Sequence, residues 1–326
     1  MHGKNAFRPG VAFAAAAAVT FGMSGPFAKS LMEAGWTPTA AVTARLAGGA
    51  LVMALFATIV HRSWLREAIR HAGTVAGYGL IPIAGGQLCY YNAVAHLSVG
   101  VAVLLEYLAP VLVVGWVWGT TRRRPATLTL VGAALAVAGT VVVLDVFSGA
   151  HIDTIGVAWA LGAAVSVACY FVLSDRVTDG DGLNAVTLAA GGLIVGAAAV
   201  AALGVTGVLP LTFTTNDTVV AGHTSSFVLP VLVLGVVSTA MAYTFGISGV
   251  ARLRPSYASL LGLGEVLCAV VAAWVLVGEA VTLTQAVGGG VVLVGLAFAG
   301  RSNRAEVAAA GFADTGAIEA VAASGR

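Results

Sequence analysis

The sequence predicts an all-α integral membrane protein of ten transmembrane helices, arranged as two inverted five-helix repeats. Three observations predict it. The composition is too apolar for a water-facing surface, ten apolar stretches have spanning length, and the basic residues fall on one side when those stretches are threaded.

Of 326 residues, 59% are hydrophobic and 9% charged, with a mean hydropathy of +0.96. Soluble domains carry about 25% charged residues to solvate their surface. The solvent for most of this surface is therefore hydrocarbon. Apolar stretches lie near 10–31, 39–60, 73–95, 99–118, 126–146, 155–173, 185–205, 227–248, 256–277 and 283–300. A chain in lipid must satisfy its own backbone hydrogen bonds, so these are helices despite their valines and threonines. The stretch from Leu211 to Ser226 is the longest loop, and residues 301–326 form a charged, Ala-rich tail. The first stretch follows Lys4 and Arg8 as a secretory signal would. It runs on to Leu31 and has a partner later in the chain, so it reads as a retained helix.

With the N-terminus in the cytoplasm, fourteen of the sixteen Lys and Arg lie in cytoplasmic segments. They are Lys4, Arg8, Arg62, Arg66, Arg70, Arg122, Arg123, Arg124, Arg176, Arg252, Arg254, Arg301, Arg304 and Arg326. Glu33, Asp145, Asp153, Asp217 and Glu279 lie opposite. Such a bias orients membrane proteins. One missed span would invert every later loop, so the expected location is a cell membrane with both termini cytoplasmic.

The halves also match one another. Gly10-Val11-Ala12-Phe13-Ala14 aligns with Gly156-Val157-Ala158-Trp159-Ala160 at an offset of 146. From Gly79 to Gly139 the offset is 156, pairing Leu104-Leu105 with Leu260-Leu261, Trp118 with Trp274, Gly132 with Gly288 and Gly139 with Gly295. Five helices is an odd number, so the second copy sits upside down. Inverted repeats suit secondary transporters, whose substrate site lies between the repeats near the midplane. The expected layout is a cytoplasmic N-terminus (1–9), repeats at 10–146 and 155–300, and a cytoplasmic tail at 301–326.

Few charges lie at membrane depth, where each costs about 2.5–3.5 kcal/mol on insertion scales. Arg45 and Glu106 each lie roughly 10 Å inside the outer ends of their helices. They read either as a buried ion pair or as a site in which Arg45 holds a carboxylate and Glu106 an amine or a proton. Glu265 sits near the midplane of the ninth span, aligned with Ala109, and lacks an acidic partner by symmetry. It reads as a substrate or coupling carboxylate. Gln87, Tyr91 and Asn92 on the third span, with Tyr243 at the matching position of the second half, read as cavity lining or as an interfacial belt.

Lys29 and Glu33 form a pair one turn apart at an outer helix end, or else Lys29 snorkels or gates. Trp36, Trp64, Trp116 and Trp118 read as interfacial anchors and His96 as a loop residue. Gly73/Gly77, Gly115/Gly119 and Gly192/Gly196 have the spacing of close helix contacts. Pro82, Pro110 and Pro230 lie inside spans, and Pro82 and Pro110 are candidate hinges.

Beyond these residues, the chain resembles the drug/metabolite transporter superfamily, specifically its ten-helix EamA type, over residues 10 to 300. The resemblance rests on the paired halves, on AVLLEYLAPVLVV at 102–114, and on Gly278, Glu279, Thr282 and Gln285 at the last helix joint. Pro110 matches the family's first-half proline, whereas Val266 stands where a second-half proline is common. That departure bears on any symmetric hinge. The resemblance implies transport of a small metabolite such as an amino acid, nucleoside or drug, driven by an ion gradient or by exchange.

Several classes are disfavoured. No phosphate-binding loop, HExxH, GxSxG or CxxC is present, so ATP coupling and the common hydrolase and redox chemistries lack their motifs. Cys89, Cys169 and Cys268 lie in apolar runs and read as buried packing groups. No cofactor or metal is expected. The partners expected are a small-molecule substrate and the lipid bilayer, without nucleic acid, for a monomer or homodimer. The function expected is a secondary transporter that exports a small polar or amphipathic metabolite by alternating access; the alternative is an intramembrane enzyme or scaffold without transport.

Overall fold

The computed structural model describes residues 3–122, 124–144, 153–180, 183–250 and 255–298. The tail at 301–326, Asp145, Arg123, Arg252 and Arg254 lie outside these residues, and the side chains of Lys4, Arg8 and Arg176 are likewise not described.

The helices in order are α1 (Gly3–Gly22), α2 (Ser24–Glu33), α3 (Pro38–Val60), α4 (Trp64–Arg70), α5 (Ala72–Tyr78), α6 (Gly86–His96), α7 (Val99–Glu106), α8 (Ala109–Thr121), α9 (Thr127–Val143), α10 (Thr154–Gly180), α11 (Ala185–Val205), α12 (Val228–Leu232), α13 (Ala242–Val250), α14 (Pro255–Val277) and α15 (Leu283–Phe298). Two π-helical segments, Gly79–Gly85 and Val233–Met241, join α5 to α6 and α12 to α13. Among the described residues four helical runs are long and apolar enough to cross a membrane: Pro38–Val60, Val99–Thr120, Ala185–Val205 and Val228–Gly246. Four more apolar helices are shorter: Thr127–Val143, Thr154–Tyr170, Gly264–Val277 and Leu283–Phe298. Leu51, Leu55, Ile59, Leu267, Val271 and Trp274 stand exposed on these rods, as a hydrocarbon-facing surface requires.

Several spans expected as single rods are interrupted, each for a backbone reason. Pro26 brings no N–H to the first turn of α2, and the chain turns at Met23 between α1 and α2. Pro82 lies within the first π segment, where a missing i→i−4 bond is accommodated by the wider helix. α7 ends at Glu106, and α8 restarts at Ala109 with Pro110 in its first turn, a position proline favours. In contrast α14, which carries Val266 where the family often has proline, is continuous. The second π segment begins just after Pro230, which lies in α12.

The longest loop contains a small antiparallel hairpin, Thr218–Val220 with His223–Ser225. Ala221 and Gly222 both have positive φ (53° and 74°) at its tip, as a tight hairpin turn demands. The Ala221 N–H donates to Leu276 O at 2.7 Å, tying the hairpin to α14.

The two halves of the chain interleave. α1 packs on α13 and α14, while α10 packs on α6 and α7; α3 packs on α11 and the second π segment, and α11 packs on the first. Glycines set the closest approaches. A β-carbon added to Gly139 would lie 2.7 Å from Gly288 O, and one on Gly288 would lie 2.7 Å from Val143 N. One on Gly295 would meet Gly132 O at 2.6 Å. α9 and α15 thus cross backbone to backbone, which small residues permit in lipid. Of the glycine pairs singled out by spacing, Gly192 and Gly196 do pack closely, against Ile83 and the Gly79 backbone. Gly73, Gly77, Gly115 and Gly119 face open space. Spacing alone misidentified them because a glycine-rich chain produces it by chance.

Polar bonds fasten the helix ends. Glu67 accepts from the Asn184 N–H at 2.9 Å and the Thr187 hydroxyl at 2.6 Å, capping α11, and pairs with His61. Burial acts to raise the Glu67 carboxyl, but the bonds from Thr187, Asn184 and His61 outweigh it and hold it below its ordinary value. His96 is more than a loop residue: its Nδ1 meets Asp153 at 3.0 Å. Asp153 in turn caps α10 through the Ile155 and Gly156 N–H groups. The Gly156 bond leads in holding Asp153 low.

Trp36 and Trp64 are buried against the protein, so their rings do not stand out to lipid as anchors would. The Trp36 indole donates to Thr214 O and the Trp64 indole to Thr58 Oγ1. Trp116 and Trp118 are exposed, as anchors would be. The three cysteines are free thiols, each partly exposed.

Candidate functional site

Arg45 is 2% exposed and projects from α3 into a ring of uncharged acceptors. Its Nε donates to Thr239 Oγ1 at 3.0 Å and its Nη2 to Ser238 O at 3.1 Å, both on the second π segment. Its Nη1 donates to Ser24 Oγ, Gln87 Oε1 and, at 3.2 Å, Tyr91 OH. The guanidinium also lies 5.6 Å from the Tyr91 ring centre. One side chain therefore joins the break between α1 and α2, the inner face of α6, and a π segment. A planar group with five donors suits that task where a lysine would not.

The ring closes on itself. Ser24 Oγ and Tyr91 OH lie 3.1 Å apart, and Tyr91 is fully buried. Thr239 Oγ1 passes its own hydrogen to Leu234 O at 2.8 Å, five residues back on the π segment. Ser238 Oγ, fully buried, has no partner among the described residues.

Glu106 and Glu265 lie beyond this ring. Glu106 is the last residue of α7, where the rod breaks. Glu265 Oε2 accepts from Tyr107 OH, the next residue along the break, at 2.9 Å. The two carboxylates and Arg45 lie close enough to feel one another's charge. No ion pair joins Arg45 to Glu106, so the buried-pair reading drawn from their shared depth does not hold. Glu106 has no hydrogen-bond donor from the chain among the described residues, yet it keeps part of its surface open, as do Gln87, Tyr107, Tyr243 and Glu265.

Of the residues singled out in the sequence, Arg45, Gln87 and Tyr91 are brought together, and Glu106 and Glu265 lie near them. Tyr243 stands edge-on to Phe21 at 5.4 Å. Asn92 is not part of the group, because its Nδ2 turns back to Leu88 O at 2.7 Å. Sequence reading missed Ser24, Thr239 and Tyr107. Ser24 could have been found from the Gly25-Pro26 step that breaks its helix, and Tyr107 from its place between Glu106 and Pro110.

The outer end carries a second cluster. Lys29 pairs not with Glu33 but with Glu279, their side chains 23% and 16% exposed. Glu279 Oε2 also accepts the Val99 N–H at 2.8 Å, at the start of α7. Gly278 makes this possible with a φ of 75°. Thr282 and Gln285 then exchange hydrogen bonds across the start of α15, Thr282 N–H to Gln285 Oε1 at 3.1 Å and Gln285 N–H to Thr282 Oγ1 at 3.2 Å. That is a capping box, and it accounts for all four residues of the joint.

The family's sequence profile, described as "EamA-like transporter family", matches twice, over residues 8–145 and 154–301. The chain belongs to the EamA-like transporter family. The threonine/homoserine exporter RhtA of Salmonella typhimurium is 30% identical over 79% of this chain and 80% of its own. A protein of Archaeoglobus fulgidus described as an uncharacterized transporter is 29% identical over 65% of this chain and 71% of its own. The inner membrane transporter YicL of Salmonella typhimurium, itself uncharacterized, is 22% identical over 83% and 88%. A crystal structure of another protein superposes with a TM-score of 0.57 at 22% identity, covering 89% of this chain and 98% of that one, a likeness of fold alone. The EamA-like chain is thus a helical membrane protein whose relatives are transporters.

Proposed function

We propose that this EamA-like protein is a secondary transporter that exports a small polar or amphipathic metabolite, amino-acid-like in size, by alternating access. Glu106 and Glu265 are its substrate or coupling groups. The observation that carries this reading is the position of those carboxylates. Glu106 ends a broken helix, Glu265 accepts a hydrogen bond from Tyr107 inside that break, and discontinuous helices at membrane depth are where secondary transporters place their sites. The 30% identity to a threonine/homoserine exporter supports an amino-acid-like substrate, and coupling is to an ion gradient or to exchange.

The proposed architecture is ten spans in two inverted repeats, 10–146 and 155–300, with both termini in the cytoplasm and the chain in a cell membrane. The double match of the family profile supports the repeat. So does the spacing of the π segments: moved by 156 positions, Gly79–Gly85 falls on 235–241, inside Val233–Met241. The glycine crossing supports the inversion. Gly132 meets Gly295 and Gly139 meets Gly288, yet it is Gly132 with Gly288 and Gly139 with Gly295 that correspond in sequence. Such exchanged pairing is what a two-fold axis produces.

In this reading Arg45, with Gln87 and Tyr91, positions the helices around the site, Tyr243 lines it, and the breaks near Pro82 and Pro110 are the bending points. Reconstitution tests the function. Proteoliposomes loaded with L-threonine, with and without an imposed pH gradient, will show saturable efflux that needs no ATP. Absence of saturable flux for every amino acid, nucleoside and amine tried would favour the non-transporting enzyme or scaffold.

A further inference from the structure

We propose that the central site selects its substrate by an ammonium group, held between Glu106 and Glu265, and that no substrate carboxylate is read by Arg45. This rests on the transporter reading above and names the chemical class of its substrate.

Two observations carry it. The first is the state of the guanidinium. Arg45 meets five acceptors, namely Thr239 Oγ1, Ser238 O, Ser24 Oγ, Gln87 Oε1 and Tyr91 OH. Nε, both hydrogens of Nη1 and one of Nη2 are thereby committed to the chain, four of the five N–H groups of arginine, so a carboxylate could take no bidentate hold without displacing one of these bonds. The second is the state of the acids. Glu265 receives one hydrogen bond, from Tyr107, and Glu106 receives none among the described residues. A carboxylate accepts up to about four bonds, so both acids, each with part of its surface open, have room for further donors.

The polar groups that feel these acids are Tyr90, Tyr107, Tyr243, Cys89, Cys268 and Arg45, and of them Arg45 is the cation. Two potential anions thus share one cation, four of whose five N–H groups bond other partners. The charge missing from this interior is positive, and its missing hydrogen-bonding capacity is that of a donor. An ammonium supplies both, with three N–H donors for two carboxylates.

The test compares three probes on purified wild-type protein by thermal shift and calorimetry: L-threonine, L-threoninol, which keeps the ammonium and lacks the carboxylate, and N-acetyl-L-threonine, which does the reverse. Threoninol is expected to bind within about threefold of threonine, and the N-acetyl form at least about tenfold more weakly, a difference of 1.4 kcal/mol. Glu265→Gln and Glu106→Gln should each abolish the preference while the unliganded protein melts normally. N-Acetyl-threonine binding as well as threonine would overturn the proposal and leave the transporter standing. If none of the three binds while proteoliposomes carry an uncharged solute, the proposal again fails alone. No binding together with no flux of any solute would remove both.

Discussion

Replacing Arg45 by lysine keeps the buried charge and removes the planar fork, so it isolates what the fork does. In the wild type five acceptors on three other helical rods converge on one guanidinium. A lysine ammonium offers at most three donors on a single atom, so at least two acceptors lose their charged partner. A hydrogen bond to a charged group contributes about 1.5–3 kcal/mol, and two of them about 3–6 kcal/mol before relaxation. With part of that recovered by water or by shifted side chains, Arg45→Lys should cost about 2–4 kcal/mol. At about 2–4 °C per kcal/mol for a chain of this size, the melting point of detergent-purified protein should fall by roughly 5–15 °C. The loss should appear without any ligand present. A variant that melts like wild type and only binds substrate more weakly would refute the argument, because Arg45 would then be a ligand group with donors to spare.

Other outcomes follow from the same geometry. Gly139→Ala places a methyl group 2.7 Å from Gly288 O, so overpacking should destabilise the protein by about 1–3 kcal/mol; Gly115→Ala, with nothing within 4 Å, should melt as wild type does. Glu67 is held below its ordinary value of 4.5, so its contribution is fully present above that value and is lost as pH falls through the lower folded one. Melting curves from pH 6 down to about pH 3 should therefore drop more steeply for wild type than for Glu67→Gln, and parallel curves would remove the cap from the account. Lys29→Met and Glu279→Gln should be less than additive, with a coupling of about 1 kcal/mol for this partly exposed pair. Additive losses would mean that the contact contributes nothing.

Much of the site was legible in the sequence because charge in an apolar chain is conspicuous. Arg45, Glu106 and Glu265 stand out for their cost in lipid, and the order of apolar stretches follows from that same solvent. Their pairing was not legible. Depth along a helix is one coordinate, and Arg45 and Glu106 share it while the rotation of each helix sends Arg45 toward Thr239 and Gln87 instead. Lys29 pairs with Glu279, 250 positions away in the chain, although Glu33 lies one turn from it, because the start of α7 draws Glu279 to the same place. The second π segment had no proline inside it to announce it, and only the repeat offset points there. Asn92 looked like cavity lining by spacing, but an asparagine can bond its own helix, and it does.

The measurement that tests the central claim most directly is transport with the outer cluster locked. Lys29→Cys and Glu279→Cys, in a background where Cys89, Cys169 and Cys268 are replaced by alanine, place two thiols where the ion pair now joins α2 to the turn before α15. A short reducible bifunctional thiol reagent then holds the outer end shut. Alternating access predicts that saturable flux in proteoliposomes stops on cross-linking and returns on reduction, while substrate still protects the locked protein against heat. Flux that continues at the uncross-linked rate, with the link verified on every molecule, would contradict it.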